Sequence, residues 1–169
     1  GEEIARQMKR LGVHVSFSPV VDVNNNPANP VINDRSFGED RENVARKGIA
    51  YMRGLQGKSL SDPNTVLATP KHFIGDGATG WGTSTTGDYM IDQGVAEIDE
   101  DTLRALHLPP YISAIDQGAL SIMASYSSWS DTKMHAQQYL LTDVLKDELG
   151  FDGFIVSDWA GIDQISPDD

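Results

Sequence analysis

The residues with the most chemistry to offer lie near the C-terminal end, in Gly153-Phe154-Ile155-Val156-Ser157-Asp158-Trp159-Ala160. The short apolar run Phe154 to Val156 predicts a buried strand. It ends in a carboxylate and then an indole. An acid at the C-terminal lip of a buried strand, with an aromatic plate beside it, suits chemistry on a sugar. The acid can attack or stabilise a cationic centre, and the indole can stack on an apolar ring face. A lone strand-end aspartate is more often a helix cap or an ion-pair partner, so its companions decide the reading.

Those companions are basic. Lys71 and His72 open the run Lys71-His72-Phe73-Ile74-Gly75-Asp76-Gly77, just after a strand pattern. Neighbours on a regular strand point to opposite sides, so the backbone must bend here if both are to face one pocket. Gly75 and Gly77 suit such a bend. Arg35 ends a long polar stretch after Asp22 and can fork onto two hydroxyls or a carboxylate. Cations beside a carboxylate favour its ionised form, which a nucleophile needs. Met123, Tyr126 and Trp129 follow another strand and either line a sugar pocket or pack under their loop. His14 reads as a strand residue, His107 as helix surface, and His135 as a loop residue near the site.

Other chemistries lack their patterns. There is no Gly-x-Gly-x-x-Gly and no Gly-Lys-Ser/Thr ending. Ser127 and Ser128 have no Gly-x-Ser-x-Gly setting. No second histidine stands at ligand spacing from His72, and no cysteine is present, so neither a metal nor a cofactor is expected.

The elements that must position these residues alternate in period. Ile4, Met8 and Leu11 predict a helix that Gly12 ends, and Val13 to Phe17 a strand closed by Pro19. The turn-rich stretch from Asn24 to Gly38 is longer than a passive connection needs, which favours a functional loop. Asp40 reads as the cap of a helix over Asn43 to Leu55, with Gly57 as its stop. Thr65 to Thr69 reads as the next strand, followed by a glycine-rich loop from Gly75 to Gly94. Asp99 is placed to cap a helix through Leu108, which Pro109-Pro110 interrupts before Tyr111 to Gln117. Leu120 to Ser125 predicts a third strand, Thr142 to Leu149 a helix ended by Gly150, and Phe154 to Val156 a fourth strand. Repeated strand–loop–helix units belong to a parallel α/β protein. The unusual residues fall just after strands, which favours a (β/α)8 barrel over a doubly wound sheet.

Composition sets outer bounds. With 169 residues, 39% hydrophobic and 22% charged, the chain can bury a core. A net charge of −12 repels nucleic acid and anionic membranes and tolerates a neutral substrate such as a carbohydrate. No apolar stretch is long enough for a membrane span.

Four runs resemble, in order, glycoside hydrolase family 3. They are Phe17-Ser18-Pro19-Val20-Val21-Asp22-Val23, Arg35-Ser36-Phe37-Gly38-Glu39-Asp40, Lys71 to Gly77, and Gly153 to Trp159. The stretch Met123 to Trp129 with Lys133-Met134-His135 is most similar to the family's exo-acting β-glucan glucohydrolases and β-glucosidases. The resemblance implies a (β/α)8 TIM-like barrel, of which residues 1–169 are a fragment of a single domain, incomplete at both ends. It implies as well a second α/β sandwich domain, expected to lie outside residues 1–169. It implies retaining hydrolysis of terminal β-D-glucosyl residues from β-glucosides or β-glucans, with Asp158 as the nucleophile. Arg35, Lys71 and His72 would hold sugar hydroxyls, while Met123, Tyr126 and Trp159 shape the subsite. The acid/base would come from the missing second domain, so the fragment alone is expected to be poorly active. The family's β-N-acetylhexosaminidase branch carries an Asp-His pair in the loop that here reads Gly77 to Asp88. This loop has no histidine, which counts against that activity. A β-xylosidase of the same family and a non-catalytic carbohydrate-binding module are the rival readings. An extracellular or periplasmic location follows from the family's polysaccharide substrates.

Overall fold

The structure, a computed structural model, describes residues 1–84 and 90–165. Its backbone is a layer of parallel strands with helices against it. Strand β1 (Val15–Ser16) pairs in parallel with β2 (Leu67–Ala68), Val15 opposite Leu67. The small strand β3 (Val95–Ala96) belongs elsewhere. Strand β4 (Ser121–Met123) is joined to the β2 chain by a parallel bridge between Phe73 and Ala124. After a hairpin of β5 (Ser128–Trp129) and β6 (Thr132–Lys133), strand β7 (Phe154–Val156) pairs in parallel with β4, Met123 opposite Val156. A second bridge, Val20 to Lys71, extends the β1–β2 pairing. The order β1-β2-β4-β7 therefore follows the chain, and these four strands all point the same way. All four C-terminal ends open on one edge, and Asp22, Lys71-His72, Tyr126 and Asp158 lie just beyond them.

The helices supply the crossovers that parallel strands require. Helix α1 (Glu2–Arg10) carries Glu2 and Glu3 in its first turn and Lys9 and Arg10 in its last, complementing the helix dipole. Helix α2 (Arg41–Gln56) starts at Asp40, whose carboxylate accepts the Asn43 N–H at 2.7 Å, and ends at Gly57, φ +59°. Its Gly48 lies so close to the sheet that a Cβ would run into Val21. Helix α3 (Glu100–Thr102), capped by Asp99, runs on through a wider π-type turn, Leu103–His107, into α4 (Pro109–Asp116). Helix α5 (Tyr139–Glu148) is also π-bonded, with the Leu149 N–H reaching Val144.

Two apolar clusters hold the layers together. Ala5, Met52, Leu55, Val66, Ala68 and Ala114 fill the gap between α1, α2, α4 and the sheet. Val21, Phe73, Leu103, Tyr111, Ile122 and Leu145 belong to the larger cluster. Tyr111 meets Phe73 edge-on, ring centroids 5.0 Å apart. Such a pair adds about 0.5–1.5 kcal/mol beyond burial.

Several expectations need correction. The strand Phe154 to Val156 forms, but it is not buried: Phe154 is 52% exposed, because β7 pairs with β4 alone among the described residues. Residues 13–17 make only a two-residue ladder, and Val13, Val15 and Phe17 lie exposed on it while Ser16 is buried. Leu11 falls outside α1 and is 81% exposed; Ala5 forms the buried face instead. The interruption at Pro109-Pro110 is where it was expected, since the π-type turn ends at His107 and α4 starts afresh at Pro109. Pro109 sits at the start of α4, where its missing N–H costs no bond. Helix α5 begins three residues earlier than Thr142. Strand β3, within no apolar run, was not legible. Thr85 to Tyr89 of the glycine-rich loop, and Ser166 to Asp169, lie outside the described residues.

Candidate active site

The site is organised around His72. Asp22, just past the Val20–Lys71 bridge, is buried. Its carboxylate accepts the backbone N–H of His72 at 3.0 and 3.2 Å and the Nδ1–H of the same ring at 2.7 Å. That bond places the proton on Nδ1, since an ionised carboxylate only accepts. The buried Asp76 brings an oxygen to 3.4 Å from the same Nδ1. The other ring nitrogen, Nε2, faces Asp158 at 3.8 Å. One imidazole thus spans from a buried carboxylate pair to the aspartate at the opening.

The electrostatics follow from this geometry. Burial alone would lower the His72 pKa, but Asp22, Asp76 and Asp158 outweigh it, and the pKa is raised. Burial pushes Asp76 up to about 7, partly offset by His72 and reinforced by Asp22 and Asp158. Lys71 is lowered by burial and by the Arg35 guanidinium, against the pull of Asp158 and Asp22. Lys71, His72 and Asp158 therefore share one field, and Arg35 enters it through Lys71.

Local folding explains how the cluster is held. The backbone after β2 leaves regular strand geometry, as the Lys71-His72 pair required: the Lys71–His72 and Phe73–Ile74 peptides are cis, and Gly75 adopts φ +93°. Gly77 packs against the Val23 carbonyl with no room for a Cβ. The Asn-rich loop is bound to this segment rather than passing over it. Asn26 donates to the Thr79 carbonyl at 2.7 Å, and Asn29 to the Asp76 carbonyl at 3.2 Å. Asn29 also accepts the N–H groups of Val31 and Ile32. Arg35 ends the short helical turn Asn33–Arg35, exposed, with Nε donating to Val31 at 2.7 Å. Among the described residues it forms no ion pair with Asp34 or Glu39.

The aromatic residues divide by role. Tyr126 is partly buried, its hydroxyl accepts from Gln164 at 3.0 Å, and the Lys133 ammonium lies 5.6 Å from its ring centroid. Burial and the negative fields of Asp158 and Asp92 raise its pKa. Trp159 is 84% exposed, and its N–H donates to Asp158 Oδ1 at 2.7 Å. Met123 is buried at the end of β4. Trp129 packs under the loop, its Nε1–H bonded to Ile98 at 2.8 Å, so it supports the fold. Ser125 and Ser127 bond each other at 2.7 Å.

Three residues escaped or exceeded the sequence reading. Asp22 and Asp76 carried no assigned role, although each closes a motif after a strand end. His135 does lie near the site: its Nε2 accepts the Asp158 backbone N–H at 3.1 Å. His107 is a correction. It is 2% exposed rather than on the helix surface, and burial takes its pKa down to about 4 against the pull of Asp22. The apolar side of α3–α4 carries it inward with Leu103 and Tyr111.

Donor atoms of Asp22, His72 and Asp76 lie within 4.8 Å of one another, a spacing that can hold a metal ion. The absence of a second histidine did not reveal this grouping. His72 Nδ1 is nevertheless committed to Asp22 at 2.7 Å, and the arrangement reads as a hydrogen-bonded charge network.

A parallel α/β layer whose strand ends gather an aspartate, a lysine, a histidine and an exposed indole suits a carbohydrate-active class of site. The profile of the Glycosyl hydrolase family 3 N terminal domain matches residues 1–168. The chain belongs to glycosyl hydrolase family 3. It is 38% identical to a beta-xylosidase of Formosa agariphila over 92% of this chain and 21% of that protein. It is 30% identical to a periplasmic beta-glucosidase of Salmonella typhimurium over 91% of this chain and 19% of that one. A mutant exo-1,3/1,4-beta-glucanase from a Pseudoalteromonas species superposes with TM-score 0.88 at 38% identity, covering 98% of this chain and 26% of that structure. The chain thus spans about a fifth to a quarter of the length of these relatives.

Proposed function

We propose that the protein carrying this chain hydrolyses terminal non-reducing β-D-glucosyl residues from β-glucosides or β-glucans, with retention. The observation that carries this reading is the convergence on Asp158, at the open strand edge, of His72 Nε2 at 3.8 Å and of the Lys71 charge. Asp158 attacks the anomeric carbon, the bond to the leaving oxygen breaks, and a glycosyl ester forms. A general acid protonates the leaving oxygen, and the same group then draws a proton from the water that hydrolyses the ester. Lys71, His72 and Arg35 donate to ring hydroxyls. Met123, Tyr126 and Trp159 shape the subsite, with Trp159 offering an open indole face. The acid/base belongs to a second domain, and the four strands to a (β/α)8 barrel whose remaining strands lie elsewhere in the protein. Residues 1–169 alone turn over poorly on this reading. An extracytoplasmic location accords with the name of the Salmonella relative.

The name of the Formosa relative favours a second reading, β-xylosidase action through the same Asp158 chemistry. Aryl β-glucoside and aryl β-xyloside assays on the full-length protein, wild type and Asp158→Asn, decide both points. The faster substrate identifies the sugar. Undiminished turnover by Asp158→Asn removes the nucleophile assignment. Sugar binding without any turnover in the wild type leaves a carbohydrate-binding module.

A further inference from the structure

Asp158 is held at both ends of its main chain. The Gly161 N–H and the Ser157 hydroxyl donate to its carbonyl, at 3.1 and 2.6 Å. Both come from its own loop. Among the described residues, the only side chain from another element that hydrogen-bonds residue 158 is His135, in the short turn Met134–Ala136 after β6. Its Nε2 accepts the Asp158 N–H at 3.1 Å. The neutral ring then carries its proton on Nδ1, which is buried and has no hydrogen-bond partner among the described residues. Gly161 packs directly against the same ring. A Cβ there would overlap the His135 ring, although the Gly161 backbone, φ −67°, is one that any residue adopts.

We infer that His135 is a positioning residue for Asp158, fixing the height of its carboxylate against His72 by accepting its backbone N–H, and that it does so only as the neutral imidazole. The inference rests on the assignment of Asp158 as nucleophile. Adding a proton to Nε2 sets one N–H against another, and the tie is lost. It also gives the half-buried ring a second donor to satisfy. The charged groups whose fields reach this ring are Asp158, which favours the proton, and Lys133, which opposes it. Burial, the largest influence, also opposes it. The tie therefore fails on the acid side of the ordinary imidazole range. A loss of about an ångström in placement is enough to cost up to about 100-fold in rate.

The test uses the full-length protein with an aryl β-glycoside. His135→Leu is expected to lower kcat about 10- to 100-fold with KM changed less than about threefold. Gly161→Ala, which displaces the ring without altering it, is expected to lower kcat in the same way. His135→Gln restores an acceptor that cannot be protonated. It is expected to regain part of the lost kcat and to extend the acid limb of the kcat profile to lower pH. Wild-type kcat in both His135→Leu and Gly161→Ala overturns the inference, as does a fall in Tm with kcat unchanged. An acid limb in His135→Gln identical to wild type overturns it too, and this comparison with Gly161→Ala stands even where His135→Leu does not fold. Asp158→Asn in the same series separates the two claims. If it is inactive while His135→Leu and Gly161→Ala run at wild-type rate, only the positioning role falls. If it is fully active, the nucleophile assignment falls and takes the positioning role with it.

Discussion

Asp22 and Asp158 are both aspartates at the C-terminal ends of parallel strands, and both face the same imidazole. Their surroundings differ sharply. Asp22 is buried and accepts three hydrogen bonds from one residue, His72. Asp158 keeps part of its side chain open, stands 3.8 Å from His72 Nε2, and is tied across elements by one backbone bond. A buried carboxylate with its acceptors filled has nothing left to offer a substrate; it fixes its partner instead. An open carboxylate with vacant acceptors can react. The difference separates the residue that orients from the residue proposed to do chemistry, and no spacing rule makes that distinction.

The comparison can be broken by exchanging the expected losses. Asp158→Asn is expected to cost about 10⁴-fold in kcat/KM on an aryl glycoside, with stability changed by less than about 0.5 kcal/mol. Asp22→Ala is expected to do the reverse in kind. It leaves His72 buried without its anion and costs about 3 kcal/mol in urea unfolding. If Asp22→Ala were as stable as wild type, its role as an anchor would fail.

Two titrations sharpen the contrast further. His107 has a depressed folded pKa of about 4. The unfolded chain then binds more protons between pH 4 and 6.5, so stability falls as pH drops through that window, by up to about 3 kcal/mol. His107→Leu should flatten this acid-side loss in urea titrations at stepped pH. Asp76 behaves oppositely. Its folded pKa is raised to about 7, so its contribution is present in acid and is lost as pH rises from its ordinary value of 3.8 towards 7. Asp76→Asn should flatten the curve on that side. The raised pKa of His72 acts in the same sense as Asp76, its contribution fading as pH rises through a value above 6.5. The smallest effect is expected at Trp159. Trp159→Ala should leave stability within about 0.5 kcal/mol and raise KM by roughly three- to tenfold, the worth of one stacked ring.

Much of this was legible in the chain itself. Asp40 and Asp99 announced their helices as caps, and Gly57 and Gly150 their ends, because capping is local chemistry. Lys71, His72 and Asp158 stood out by their places at strand ends, where parallel strands deliver side chains to one edge. Burial was harder to read. Phe154 looks like core in sequence, yet the outcome depends on whether another strand covers it, which is a tertiary fact. His107 looks like surface because a single polar residue on a helix says nothing of its azimuth. The Asp22–His72 bond joins residues 50 positions apart, and the His135–Asp158 tie is a backbone contact that no side-chain pattern encodes. The Asn-rich loop stood out by its length, but its attachment to the Asp76 segment through Asn26 and Asn29 appears only in three dimensions.

The claim on which the rest depends is that Asp158 bonds to the anomeric carbon. A 2-deoxy-2-fluoro-β-glucosyl fluoride reacted with the full-length protein, followed by proteolysis and peptide mass measurement, reads this directly. The expected result is one added fluoroglycosyl mass on the peptide containing Asp158. A label on another carboxylate, or steady turnover with Asp158 never labelled, would contradict it.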